Sequence, residues 1–504
     1  MKQWFIVPGQ LLAVIGLWVV AYLLLYGQIQ KQVDTHEGIP YPTFSWAAPQ
    51  LLFKQSQSIQ SLSLQGYIPG AQTLSILCNQ QPLQSQLFRQ GYFTLSHRFN
   101  NSCPDGQLSI QSSYSQIPAN KTGSQDHRVL SYQLGLAQIN GKDISLATLI
   151  KTSSGLYGLE ENFSRISTTE ILSRSHDAGW YHKIASKDYA FNGDRTIQQT
   201  VAWPFLYPYS VKALHAISGL DIDKSMLRFN LICSLLAMLS LFYLGKLLKL
   251  NTCSALLAPA WFAFNPFSFF VFGGFSESLF MLLFSAALIL AIKEKWISAA
   301  LMISAMTASR FIGGIAILLL MLYWLSINYQ SQGIKKSSIM IIKMGLISTL
   351  GILLDMAVKA HATGEPLAAF LVRSAWKISP LQLATRIFDL RLIQSAEYLP
   401  VLLLALGLMI CAIYICILCI KTHQHKAALI AGSGALILGT TLLMNPEIHS
   451  VGRYSLSLAP CIIGILSYDR LKQQSTALIA LSCTIGAAFS GLIISNIYSG
   501  LAPF

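Results

Sequence analysis

Asp177 stands in the stretch Ser-His-Asp-Ala-Gly-Trp-Tyr, residues 175 to 181, a polar segment just ahead of a long series of apolar runs. A carboxylate there can accept a proton from a hydroxyl that is attacking an electrophilic carbon. A solvated loop acid, or a cap at the start of a helix over 178 to 184, is the alternative for an isolated aspartate. Asp177 has company, however. Ser276, Glu277, Arg310, Arg373, Trp376, Lys377, Glu447, His449 and Arg453 all sit at the mouths of apolar runs or between them, and the topology argued below sends the whole set to one face. Ionisable residues at the ends of membrane helices are functional candidates when they converge. Trp180, Tyr181, Trp203 and Trp376 offer flat faces for a sugar ring or an isoprenoid chain, and anchoring at the membrane interface explains such residues equally well. Glu277 can order hydroxyl groups, act as a second acid, join Asp177 on a metal ion, or simply complement the dipole of the helix it opens.

The elements that must position these residues are set by composition. The 504 residues are 53% hydrophobic and 11% charged, with a mean hydropathy of +0.50, which is far more apolar than a soluble domain. Apolar runs at 4–26, 226–248, 253–272, 276–293, 312–328, 338–359, 398–420, 427–445 and 475–497, with shorter ones at 296–309 and 454–468, predict an all-α polytopic membrane protein of about eleven transmembrane helices. The net charge of +14 is explained by orientation. Lys2, Lys246, Lys249, Lys293, Lys295, Lys335, Lys336, Lys343, Lys421, Lys426, Arg470 and Lys472 alternate onto one side, as cytoplasmic flanks do, and nucleic-acid binding is excluded on that ground. The first run lacks a small-residue cleavage site and reads as an uncleaved span.

Between the first two spans the pattern changes. Residues 27–165 alternate apolar with polar at 61 to 64, 92 to 99, 107 to 114 and 129 to 139, with turn signals at Pro104-Asp105-Gly106 and Asn140-Gly141. This predicts a β-rich, sandwich-like extracytoplasmic insert. Residues 166–225 then carry aromatic residues among charges, as interfacial amphipathic helices do, and 226–504 form the helical bundle. Of nine cysteines, Cys78 and Cys103 alone fall outside the membrane, where a disulfide and two free thiols are both permitted. No Cys or His spacing typical of a metal site occurs, and no phosphate-cradling glycine loop.

Several short motifs occur together in a fixed order. They are His176-Asp177-Ala178-Gly179-Trp180-Tyr181 through Ile184-Ala185, Trp203 to Pro208, Asn265-Pro266, Gly274-Phe275-Ser276-Glu277-Ser278-Leu279-Phe280, Ser309-Arg310, Gly364-Glu365-Pro366-Leu367 and Gly452-Arg453-Tyr454. As a set they resemble the PIG-V mannosyltransferases, the GPI mannosyltransferase 2 family with its bacterial relatives. Two departures stand out: His176 replaces the family's tryptophan, and the 27–165 insert replaces a short loop.

The resemblance implies a GT-C-like bundle that transfers a sugar, mannose above all, from a polyprenyl-phosphate donor to a lipid, glycan or protein acceptor on the extracytoplasmic or lumenal leaflet. Under it, Asp177 is the base of an inverting transfer. Arg310, Arg373, Lys377 and Arg453 hold the departing phosphate, and Ser276, Glu277, His176, Trp180, Tyr181, Trp203 and Trp376 position sugar or acceptor. A divalent Mg²⁺ or Mn²⁺ remains open, since oxygen-ligand sets leave no spacing rule. The Gln-rich insert favours a bacterial plasma membrane over the endoplasmic reticulum. An oligosaccharide ligase using a lipid-pyrophosphate donor would share the basic outer loops, and a glycolipid flippase is the non-enzymatic alternative, although no internal repeat supports it.

Overall fold

The computed structural model describes residues 7–35, 43–53, 59–103, 108–117, 128–161, 168–174, 177–265, 267–372, 375, 399–444 and 451–468. They divide into a helical unit, containing residues 1–28 and 169–494, and a β unit built on residues 29–168.

The β unit corrects the sandwich-like form expected of the segment between the first two apolar runs. Its strands are β1 (Thr43–Phe53), β2 (Ile59–Ile68), β3 (Gln72–Cys78), β4 (Gln81–Phe88), β5 (Gly91–Cys103), β6 (Leu108–Ser112), β7 (Tyr132–Ile139), β8 (Lys142–Ile144) and β9 (Ser153–Glu161). They form one antiparallel sheet ordered β4-β3-β6-β1-β7-β2-β5, with β8 on β7 and β9 on β1. A sandwich would need two sheets. Here the single sheet curls until its ends nearly meet: His97 of β5 lies 2.8 Å from Gln84 of β4, and the rings of Phe88 and Phe93 are 5.4 Å apart. Alternation along each strand fills the inside of the curl with Leu51, Leu64, Ile68, Leu74, Ile76, Leu95, Ile110 and Leu134, all fully buried. Cys78 and Cys103 are joined by a disulfide.

The helical unit corrects the count of spans. Among the described residues three helices are long and apolar enough to cross a membrane, Pro8–Gln30, Ile222–Leu247 and Phe311–Thr363, against the eleven expected. The apolar runs between them form helices that are too short: Thr252–Phe264 and Glu277–Ile292 have 13 and 16 residues. At ~1.5 Å per residue these reach about 20 and 24 Å, short of a hydrocarbon core of about 30 Å. Hydropathy sums ignored what stops a helix. Asn265 ends Thr252–Phe264 in an extended conformation, and its side chain accepts from the Phe267 backbone N–H at 2.9 Å. In the third long element Gly333 adopts φ 70° and ψ 172°, open to glycine and costly for other residues, so two helices share one apolar stretch. The run at 475–497 lies outside the described residues.

The helices of this unit, in chain order, are α1 (Pro8–Thr35), α3 (Thr168–Arg174), α4 (Asp177–Lys187), α5 (Leu206–Ser218), α6 (Ile222–Leu247), α7 (Thr252–Phe264), α8 (Phe269–Phe272), α9 (Glu277–Ile292), α10 (Trp296–Ser309), α11 (Ala316–Thr363), α12 (Ala368–Leu371), α13 (Leu399–Lys421), α14 (His425–Met444), α15 (Val451–Tyr454) and α16 (Ala459–Ser467), while α2 (Leu146–Thr152) belongs to the β unit.

Candidate functional site

Asp177 is the first residue of α4, where a carboxylate complements the helix dipole. Ala178, Tyr181, Ile184 and Ala185 form the buried stripe of that helix, so the polar residues between them stay at its rim. Asp223, near the start of α6, fixes the approach. Its carboxylate accepts from Ser173 Oγ at 2.6 Å and from Arg174 Nε at 2.8 Å and Nη2 at 2.5 Å, and His182 Nε2 of α4 stands 3.4 Å away. One acid therefore grips the chain on both sides of Asp177. Beyond α4 the chain turns at Asp188, whose φ of 68° an aspartate tolerates better than most residues.

Ser276 and Glu277 open α9, and the turn before them is packed without slack. The Gly274 N–H donates to Leu172 O at 2.6 Å, and a Cβ at Gly274 would fall 2.7 Å from Met226 Cε and 3.0 Å from Ser173 Cα. Only glycine lets the α9 turn come this close to the end of α3. Asn230 of α6 ties the same turn by donating to the carbonyls of Gly273 and Phe275.

Four ionisable groups from α4, α9, the α10 terminus and α15 meet here. Arg453 Nη1 donates to Asp177 Oδ2, Arg310 Nη1 donates to Glu277 Oε1, and Arg453 Nε lies 3.7 Å from that same Glu277 oxygen. The side chains of Glu277, Arg453 and Arg310 are 7%, 8% and 10% exposed, whereas Asp177 is 24% exposed. The cluster is thus closed below and reachable at Asp177. Tyr454 lies between the two cations, its ring centre 4.7 Å from the Arg310 guanidinium and 5.4 Å from that of Arg453. Behind them, Tyr181 Oη and Ser276 Oγ are 2.9 Å apart, and Arg310 Nη1 reaches the same Ser276 oxygen at 3.4 Å.

Burial opposes charge on both arginines. Glu277 with Tyr454 and Tyr181 at Arg310, and Asp177 with Tyr454 and Glu277 at Arg453, together outweigh it, so both guanidiniums are held charged more firmly than in water. Burial would raise the Tyr454 phenol, but Arg310 and then Arg453 overcome it and lower it below the usual tyrosine range. Tyr181 is raised, chiefly by burial. Two buried polar atoms, Glu277 Oε2 and Arg453 Nε, have no hydrogen-bond partner among the described residues, and such groups are costly unless something else satisfies them.

The predicted residues fall into three sets. Asp177, Ser276, Glu277, Arg310, Arg453 and Tyr181 come together. Trp203 backs the cluster through Tyr181, ring centres 5.3 Å apart, whereas the Trp180 ring is covered by Lys183 at 4.7 Å. His176, Arg373, Trp376 and Lys377 lie outside the described residues, as do Glu447 and His449. Sequence reasoning gave no role to Tyr454, Arg174 or Asp223, although Tyr454 adjoins Arg453 and Arg174 stands three residues before Asp177 in the sequence. Among the described residues no group of three or more His, Cys, Asp or Glu side chains is placed to hold a metal ion, and Asp177 and Glu277 each face an arginine. The cluster can accept a proton at its exposed carboxylate and balance an anion at its buried cations. No protein-family model matches the chain, and no curated protein matches it.

Proposed function

We propose that this chain is an integral membrane glycosyltransferase that moves a sugar, mannose by its resemblance to the PIG-V family, from a polyprenyl-phosphate donor to an acceptor hydroxyl. The observation that carries the reading is one reachable carboxylate, Asp177, paired with the buried Arg453, beside a second buried arginine, Arg310, that Glu277 holds. Asp177 takes the acceptor proton as the acceptor oxygen bonds to the anomeric carbon from the face opposite the phosphate. The bond from that carbon to the phosphate oxygen breaks, and its electron pair leaves on the phosphate. A phosphate leaving as an anion needs cations more than it needs an acid, and Arg310 and Arg453 supply them. Glu277 sets the spacing of the two guanidiniums, and Tyr181 with Trp203 provides an aromatic wall for the sugar or the isoprenoid. Three helices able to cross a membrane support a place in a membrane, and we set the site on the extracytoplasmic face of a bacterial inner membrane.

The test is transfer by the full chain in nanodiscs, from synthetic polyprenyl-phosphate mannose to acceptors in a membrane extract. Wild type should transfer, and Asp177→Asn should lose about 10²- to 10⁴-fold while remaining folded and inserted. A near wild-type rate in that variant removes Asp177 as the base. Transfer from a lipid-pyrophosphate oligosaccharide, with none from the monosaccharide phosphate, overturns the donor class.

A further inference from the structure

Outside the cluster just described, α11 carries an ion pair with almost no access to solvent. Lys359 Nζ donates to Asp355 Oδ2 at 2.5 Å, and the two side chains are 0% and 1% exposed. A pair so deeply buried contributes little net stability, because desolvation offsets the attraction, and apolar residues of similar size hold a helix as well or better. Ionisable residues inside an apolar span point to function by default.

The contacts of the pair indicate what it does. Asp355 Oδ1 accepts from the Phe205 backbone N–H at 3.0 Å. Phe205 is the residue that opens α5, and its own side chain makes no capping bond, so an acid from α11 does that work. Lys359 Nζ lies 5.5 Å from the Tyr189 ring centre and 5.2 Å from that of Phe311. Tyr189 Oη donates to the Trp203 carbonyl at 2.9 Å, and Phe311 directly follows Arg310. The same ion pair therefore touches the segment bearing Trp203, whose ring meets that of Tyr181 edge to face, and the residue next to the phosphate-facing arginine.

We propose that Asp355 and Lys359 are positioning residues that set the aromatic wall at Trp203 and Tyr181 at a fixed distance from Arg310. The inference rests on the glycosyltransferase reading for its consequence in catalysis, and on geometry alone for the positioning. Asp355 sets the wall through the Phe205 backbone, and Lys359 fixes the Phe311 side.

The test compares the full chain in nanodiscs with the exchanged pair Asp355→Lys/Lys359→Asp and the neutral pair Asp355→Leu/Lys359→Met. The exchange keeps an oppositely charged pair four residues apart, but a lysine at 355 cannot accept from the Phe205 N–H. Thermal unfolding should stay near wild type in both. Amide exchange at Phe205 should accelerate at least about tenfold in both. Transfer from polyprenyl-phosphate mannose should fall about ten- to a hundredfold, as for a small misplacement of groups around a reaction centre. Wild-type exchange at Phe205 in the neutral pair overturns the positioning role whatever the activity. Full transfer by the exchanged pair shows that the charges serve stability alone and also overturns it. Faster exchange at Phe205 with no transfer by wild type retains the positioning role and removes the glycosyltransferase reading instead.

Discussion

At the scale of single residues the site depends on charge balance. Asp177 and Glu277 offset Arg310 and Arg453, so removal of one member leaves a buried charge alone. Arg310→Met, which takes the paired guanidinium from the buried Glu277, should lower stability by about 3 to 5 kcal/mol, read by thermal unfolding in nanodiscs; a shift as small as that of an exposed ion pair would contradict the buried network. Asp188 gives a pH-dependent case. Burial would raise its carboxyl, but bonds from Lys212, Tyr209 and the Tyr189 N–H outweigh it and hold it below the usual carboxylate range. A depressed acid contributes stability above its unfolded value, near pH 3.9, and loses it as pH falls through the lower folded value. Protection of residues 186–212 from amide exchange should therefore persist at neutral pH and weaken below about pH 4, and Asp188→Asn should remove that dependence. Persistence of the pH dependence in Asp188→Asn would exclude this residue as its source.

At the scale of elements, the strands and helix starts were legible where a local pattern dictated them. Period-two alternation marked β2, β5, β6 and β7, and Asn140 and Gly141, with φ of 52° and 74°, make the tight turn from β7 to β8. What alternation could not say was whether inward faces meet a second sheet or the far side of the same one, since both bury every other residue. Helix lengths were misread for a related reason: hydropathy averages across Asn265, while a helix stops there. Asp177, Glu277, Arg310 and Arg453 were singled out as ionisable residues at the ends of apolar runs, but the eleven-span topology that gathered them on one face is not the arrangement of the described helices. Asp223 was not singled out, because its partners lie about fifty residues away and each is an ordinary polar residue locally. The turn before α9 gives an element-scale prediction. Gly274→Ala places a methyl against Met226 and Ser173, so it should cost about 1 to 3 kcal/mol by overpacking and displace Ser276 and Glu277. Unchanged thermal stability in this variant would mean the turn has room that the geometry denies.

At the scale of the whole molecule, the division into two units predicts separable behaviour. The Cys78–Cys103 disulfide, 25 residues apart in sequence, belongs to the β unit alone. Replacing both cysteines by serine should destabilise that unit by ~3 kcal/mol, seen as a lower temperature for loss of strand signal, while the helical transition stays where it is. A common shift of both transitions would show that the two units unfold as one.

The near-closure of the sheet also bears on how this chain avoids sticking to itself. A strand at a sheet edge is a template for pairing with a neighbouring molecule, and β4, with Leu87 71% exposed, would be an adhesive one. The curl brings β5 against it, and the disulfide links β3, the strand next to β4, to β5 across the seam. Oxidation thus fastens the seam, and a reduced chain has a strand edge to offer before the barrel shuts. Self-association of newly made protein should follow the thiol state of Cys78 and Cys103.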